Sequence, residues 1–137
     1  MSEHKLAEAV ILIVEDDENN RIVISRLLVL VGASKANIYQ VEEDPLASLG
    51  PEPAHYDLVL LDLHIPKKDG YAILGELRTD PRFTGSRIIA LTANVMQDDL
   101  DQTRKAGFDG FIGKPINAAG LKSTIEKILS GEAVWTI

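Results

Sequence analysis

The chain has no cysteine. That absence excludes a disulfide frame and any thiolate-bound metal centre, and it suits a reducing compartment. Positive charge is scarce: 14 Lys and Arg stand against 21 Asp and Glu, a formal net charge of −7. Direct nucleic-acid binding and attachment to an anionic membrane both need a cationic surface, so both are disfavoured. No apolar run approaches the roughly 20 residues that span a bilayer. The start, MSEHKLAEAV, also lacks the cationic end and apolar block of a signal peptide. A cytoplasmic location is the resulting expectation. The 137 residues are 45% apolar and 26% charged, which suits one globular domain over 1–137 with protein or metal partners.

Short apolar blocks mark five strands: Val10 to Val14, Ile38 to Val41, Leu58 to Leu61, Ile88 to Leu91, and a weaker Gly110 to Ile112. Three are unbroken aliphatic runs, the pattern of strands covered on both faces. Helical spacing lies between them. Val23, Ile24, Leu27, Leu28 and Val31 share one face, with Gly32 as the stop. Tyr71 to Arg78 forms another helix despite Gly75, which costs about 1 kcal/mol relative to alanine. Leu121, Ile125, Ile128 and Leu129 define the last. Asp44 and Pro45 begin at most a short turn. Residues 96–105 read as a helix with few apolar positions. The alternation predicts an α/β fold, a doubly wound five-stranded parallel sheet with helices on both faces.

One stretch does not fit a simple buried strand. In LVLLDLHIPKKDG (58–70) an aliphatic run leads straight into Asp62, and an unpaired buried carboxylate is costly. The sequence places Asp62 just past the buried part, at the carboxyl edge where open sheets bind ligands. Glu15, Asp16 and Asp17 follow the first strand there, Thr92 and Ala93 the fourth, and Lys114 and Pro115 the fifth. Glu15, Asp16 and Asp62 would repel one another without a cation, and a magnesium-sized ion, Mg2+ or Mn2+, would turn that repulsion into binding. An acidic cluster facing a lysine and a threonine suits phosphoryl chemistry, and an aspartate there can itself carry the phosphoryl group. Asp17 is left as a helix cap.

Four segments, VEDDENNR (14–21), LLDLHIPKKDG (60–70), ALTAN (90–94) and FIGKP (111–115), in this order and spacing, resemble the receiver domain of two-component response regulators, the CheY-like fold. The resemblance covers about residues 9–130 and leaves 131–137 as a C-terminal tail. It implies a flavodoxin-like strand order of 2-1-3-4-5. It implies Asp62 as phospho-acceptor, and Glu15, Asp16, Asp62 and the main-chain carbonyl of His64 as metal ligands. Thr92 matches the switch hydroxyl, Lys114 the lysine that pairs with phosphoryl oxygens, and Phe111 the aromatic that swings inward when that hydroxyl moves. Lys114–Pro115 matches a cis peptide bond of the family. His64 and Asn94 fall where side chains influence phosphoryl lifetime. Lys68 stands where the family usually has an apolar residue.

The resemblance also implies the partners: a histidine kinase or phosphotransfer protein as donor and a downstream protein as target. The surface of the fourth helix, fifth strand and fifth helix is the candidate face for that target or for a homodimer. The expectation is a stand-alone receiver that acts by protein contact, not an enzyme beyond its own phosphorylation and dephosphorylation. The tail carries the one tryptophan and reads as a free end or a clasp on its own domain. A phosphohydrolase of the haloacid-dehalogenase kind is disfavoured, because His64 stands where that family needs a second carboxylate.

Overall fold

Strands that are apolar on both faces must be covered on both faces, and the computed structural model has that arrangement. It describes residues 6–65, 69–93 and 97–135, with 97–99 described for the backbone. Strands β1 (Ile11–Val14), β2 (Ile38–Val41), β3 (Leu58–Asp62), β4 (Arg87–Thr92) and β5 (Gly110–Gly113) are parallel, in the expected order β2-β1-β3-β4-β5. The five-strand expectation needs one correction. A sixth strand, β6 (Val134–Trp135), runs parallel beside β5. A β-branched and an aromatic residue follow the last helix, and β5 would otherwise present an unpaired edge. The tail is therefore a clasp.

The helices are α1 (Glu18–Leu30), α2 (Pro45–Ser48), α3 (Gly70–Thr79), α4 (Gln97–Ala106) and α5 (Leu121–Leu129). Alternation along each strand sends successive side chains to opposite layers. Leu12, Val14, Val59, Leu61, Ala90 and Phe111 enter one layer with Ile73, Leu74 and Leu77 of α3 and Leu100 of α4. Ile11, Ile13, Leu60 and Ile89 enter the other with Ile24 and Leu28 of α1 and Ile125 and Ile128 of α5. Among the described residues, no helix is long and apolar enough to cross a membrane.

The side chain of Asp17 accepts from the Asn20 N–H at 3.2 Å and caps α1, as expected. The buried stripe of α1 is narrower than its apolar spacing suggests. Ile24 and Leu28 are buried, Leu27 and Val31 pack against them, and Val23 is 53% exposed. Val23 is one residue, about 100°, round from Ile24, which turns it off the sheet. Pro45 starts α2, although the Asp44 side chain makes no cap bond there. Asp69 caps α3 by accepting from the Tyr71 N–H at 3.1 Å, and three buried aliphatics hold α3 in spite of Gly75.

Gly70 has a packing reason. A Cβ at this first residue of α3 would stand 3.0 Å from Leu63 Cα and 3.1 Å from Leu63 Cδ2, so the glycine lets α3 start close against the end of β3. A Cβ at Gly75 would meet nothing within 4 Å. Opposite effects are expected from the same substitution. Gly70→Ala should cost about 1–3 kcal/mol by overpacking, and Gly75→Ala should add about 0.5–1 kcal/mol through helix propensity. Denaturant unfolding of the two variants measures both, and equal shifts of one sign would contradict the packing account.

Candidate functional site

The carboxyl ends of β1 and β3 bring the acids together. Glu15 follows β1, donates its N–H to the Val41 carbonyl at 3.1 Å, and is 1% exposed. Asp62 is the last residue of β3. Glu15, Asp16 and Asp62 can each offer a carboxylate oxygen such that all lie within 4.8 Å of one another. That spacing fits a divalent cation with oxygen ligands. The predicted trio is thus assembled.

Asp62 is more deeply placed than the sequence implied. It is 2% exposed, inside the strand and not past it. What compensates it is specific. The His64 main-chain N–H donates to Asp62 Oδ1 at 2.9 Å, and Lys114 Nζ donates to Asp62 Oδ2 at 3.3 Å and to Glu15 Oε1 at 2.8 Å. The Lys114 side chain is 19% exposed, so its ammonium is held at the acid cluster and is not a solvated surface group. Burial by itself would lower its pKa, but the hydrogen bond to Glu15 and the charges of Asp62 and Glu15 outweigh that, and the ammonium is held above the usual lysine value.

Thr92 ends β4 and is 1% exposed. Its Oγ1 lies 2.9 Å from His64 Nε2, and its carbonyl accepts from the Lys114 N–H at 2.8 Å. One residue, His64, therefore touches both the Asp62 carboxylate, through its backbone, and the Thr92 hydroxyl, through its ring. The Lys114–Pro115 peptide is cis. Phe111 is fully buried, with Trp135 as its register partner on β6. Asn94 and Lys68 lie outside the described residues.

Arg21 was missed by sequence reasoning. It lies on α1, and its Nη1 donates to the carbonyls of Glu15 at 2.7 Å and Asp16 at 3.2 Å. The guanidinium fixes the turn that presents both acids and brings positive charge behind them. The signal was present in VEDDENNR, since Arg21 follows the acids by five or six residues and falls in the first turns of α1. A groove of about 280 Å³ opens beside the site, lined by Asn20, Val23, Ile24, Ala93, Pro115 and Ile116, with Lys114 at its edge.

Asp16 shows the strain of the cluster. Its pKa is raised, first by a hydrogen bond with Glu15, then by burial and by the Glu15 charge. The folded state thus binds this proton more tightly than the unfolded chain. Ionised Asp16 is destabilising at neutral pH, and the penalty disappears below the ordinary carboxylate range, about pH 3–4. Without divalent metal, Asp16→Asn should raise the melting temperature modestly at pH 7 and leave it unchanged at about pH 3. A fall at pH 7 would show that the carboxylate is instead a net stabiliser.

The arrangement has counterparts among known proteins. The family model for the response regulator receiver domain matches residues 11–126. The chain is 36% identical over 118 residues to the aerobic respiration control sensor protein ArcB of Escherichia coli. It is 34% identical over 121 residues to the hybrid signal transduction histidine kinase L of Dictyostelium discoideum. These alignments take in 85% of the chain but 15% and 7% of those relatives, so the chain spans a small part of their length. A solved receiver domain of a sensor histidine kinase from Pseudomonas aeruginosa PAO1, with a magnesium ion coordinated in its active-site cleft, is 31% identical. It superposes with a TM-score of 0.74, covering 90% of this chain and 98% of that one. The chemotaxis protein CheY4 of Vibrio cholerae, 21% identical with a TM-score of 0.75 over 88% of this chain and 98% of its own, shares the fold. The chain belongs to the response regulator receiver family, the phosphoacceptor modules of two-component signalling.

Proposed function

We propose that Asp62 is the phospho-acceptor and that Glu15, Asp16, Asp62 and the His64 carbonyl hold Mg2+, or Mn2+ in its place. The observation that carries this reading is that the two oxygens of buried Asp62 have different partners, His64 N–H on Oδ1 and Lys114 on Oδ2. That fixes the carboxylate as a positioned nucleophile. An Asp62 oxygen attacks phosphorus, the bond from phosphorus to the donor nitrogen or oxygen breaks, and the electron pair leaves with the donor. A bound Mg2+ would neutralise charge on the transferring oxygens. Lys114 then exchanges part of its contact with Glu15 and Asp62 for a phosphoryl oxygen. Thr92 supplies the hydroxyl that turns from His64 toward the new group. His64 and Asn94 influence the phosphoryl lifetime.

The donor is a histidine kinase or phosphotransfer protein in the cytoplasm. It reaches the site over α1, where exposed Val23 borders the apolar groove that runs to Pro115 and Ile116. The output is altered protein binding, to a downstream protein or a second copy, through the surface of α4, β5 and α5, with the receiver core over about 9–130.

Acetyl phosphate with Mg2+ should add one phosphoryl group by intact mass, and Asp62→Asn or chelation should abolish it. Absence of the adduct under saturating donor would refute the acceptor role. Mg2+ should also raise the melting temperature of the wild type in proportion to RT ln(1 + [Mg]/Kd), and this increment should vanish in Asp16→Asn. Val23→Glu should slow transfer from a phosphorylated donor protein about tenfold or more, the effect of burying an unpaired charge at an interface. Labelling by acetyl phosphate should stay intact in that variant. Equal slowing with both donors would place the defect in the site and not in docking.

A further inference from the structure

Residues 132–135 are the part of the fold that phosphoryl chemistry leaves without a task. β6 pairs with β5, Val134 beside Gly110 and Trp135 beside Phe111. Three features seat it. Gly110 leaves the space the strand needs, since a Cβ there would stand 2.6 Å from the Val134 carbonyl oxygen. The Trp135 ring lies 4.7 Å, centroid to Cζ, from the guanidinium of Arg104 on α4, a cation–π contact. Arg87 Nη2 donates to the Gly131 carbonyl at 3.1 Å and fixes the turn before the strand. The strand covers what would otherwise be the open edge of β5, the kind of edge to which another extended chain adds readily.

Trp135 also ends a row of register partners that crosses the sheet: Val14, Leu61, Ala90, Phe111 and Trp135. All five pack in the same core layer. Ala90, the neighbour of Phe111 on the side away from Trp135, is the smallest of them. Thr92 lies two residues along β4 from Ala90 and faces the same layer. A shift of the Thr92 side chain toward Asp62 would change the packing next to Ala90.

We propose that β6 is a releasable cover on the β5 and α4 face. At rest it fills the edge where an extended segment of a partner would add, and phosphorylation loosens it by drawing Thr92, and then Phe111, away from Trp135. The proposal rests on Asp62 being the phospho-acceptor.

Trp135 is the single tryptophan of the chain, so its emission reports the strand directly. With acetyl phosphate and Mg2+, and with the adduct verified by intact mass, the emission should shift to the red. Acrylamide quenching and amide exchange at 132–135 should rise several-fold. None of these changes should occur in Asp62→Asn. Arg104→Ala and Gly110→Ala should both reproduce the red shift without donor. Arg104 is exposed, so its variant tests the seat even if Gly110→Ala fails to fold. A complete mass shift with unchanged Trp135 emission and exchange would overturn the cover and leave the acceptor role standing. No mass shift under saturating donor would remove both.

Discussion

One ammonium among three carboxylates is the interaction on which the site depends. Glu15 and Asp62 are almost fully buried, and Lys114 reaches both from the other side of the sheet's edge. Taking a carboxylate out of water costs several kcal/mol unless a partner with good geometry compensates it. Lys114 compensates part of the cluster, and the acids still outnumber it; the pKa of Asp16 is raised, first by its hydrogen bond with Glu15, then by burial and by the Glu15 charge. The remaining negative charge suits a divalent cation, whose binding would relieve the repulsion that the fold tolerates without it.

The fold answers this electrostatic demand with backbone. Two of the three acids are held by main-chain groups near the end of a strand: Asp62 by the His64 N–H, Glu15 by the Asp17 N–H at 3.2 Å. Arg21 grips the carbonyls of the same turn from α1. A parallel sheet supplies such ends close together, because β1, β3 and β4 finish within two residues of one another, each one step beyond the last. Gly70 lets α3 begin immediately beside those ends. Removing the sheet's regularity would scatter the charges, so the aliphatic strands are part of the chemistry as well as of the core.

Much of this was legible in the chain. Runs such as VILIV and LVLL can be buried only in a doubly covered sheet, and the acids and the lysine follow those runs directly, so their meeting at one edge follows from topology. Three features were not legible, each for a physical reason. The depth of Asp62 depends on where β3 frays, and a one-residue difference in strand length is below what periodicity resolves. The exposure of Val23 depends on the rotation of α1 against the sheet, which its broad apolar spacing leaves open. Pairing of β6 depends on a backbone approach over Gly110, and a glycine in a weak strand pattern announces such an approach only once its neighbour is known.

His64 joins the two halves of the molecule's logic. Its N–H is bound to the carboxylate that chemistry would modify, and its ring is bound to a hydroxyl on the neighbouring strand that faces the Phe111 layer. A hydroxyl has one proton to donate. If the ring accepts it, a phosphoryl oxygen has to compete for it. If the ring donates, it holds the hydroxyl oxygen in place. In either tautomer the cost of moving Thr92 includes breaking or reshaping a 2.9 Å contact, so His64, two residues past the β3 end, would set the threshold for a signal passing from Asp62 into the sheet. That threshold is local, whereas its consequences run along a row of packed side chains, because a close-packed layer transmits a displacement that a fluid one would absorb.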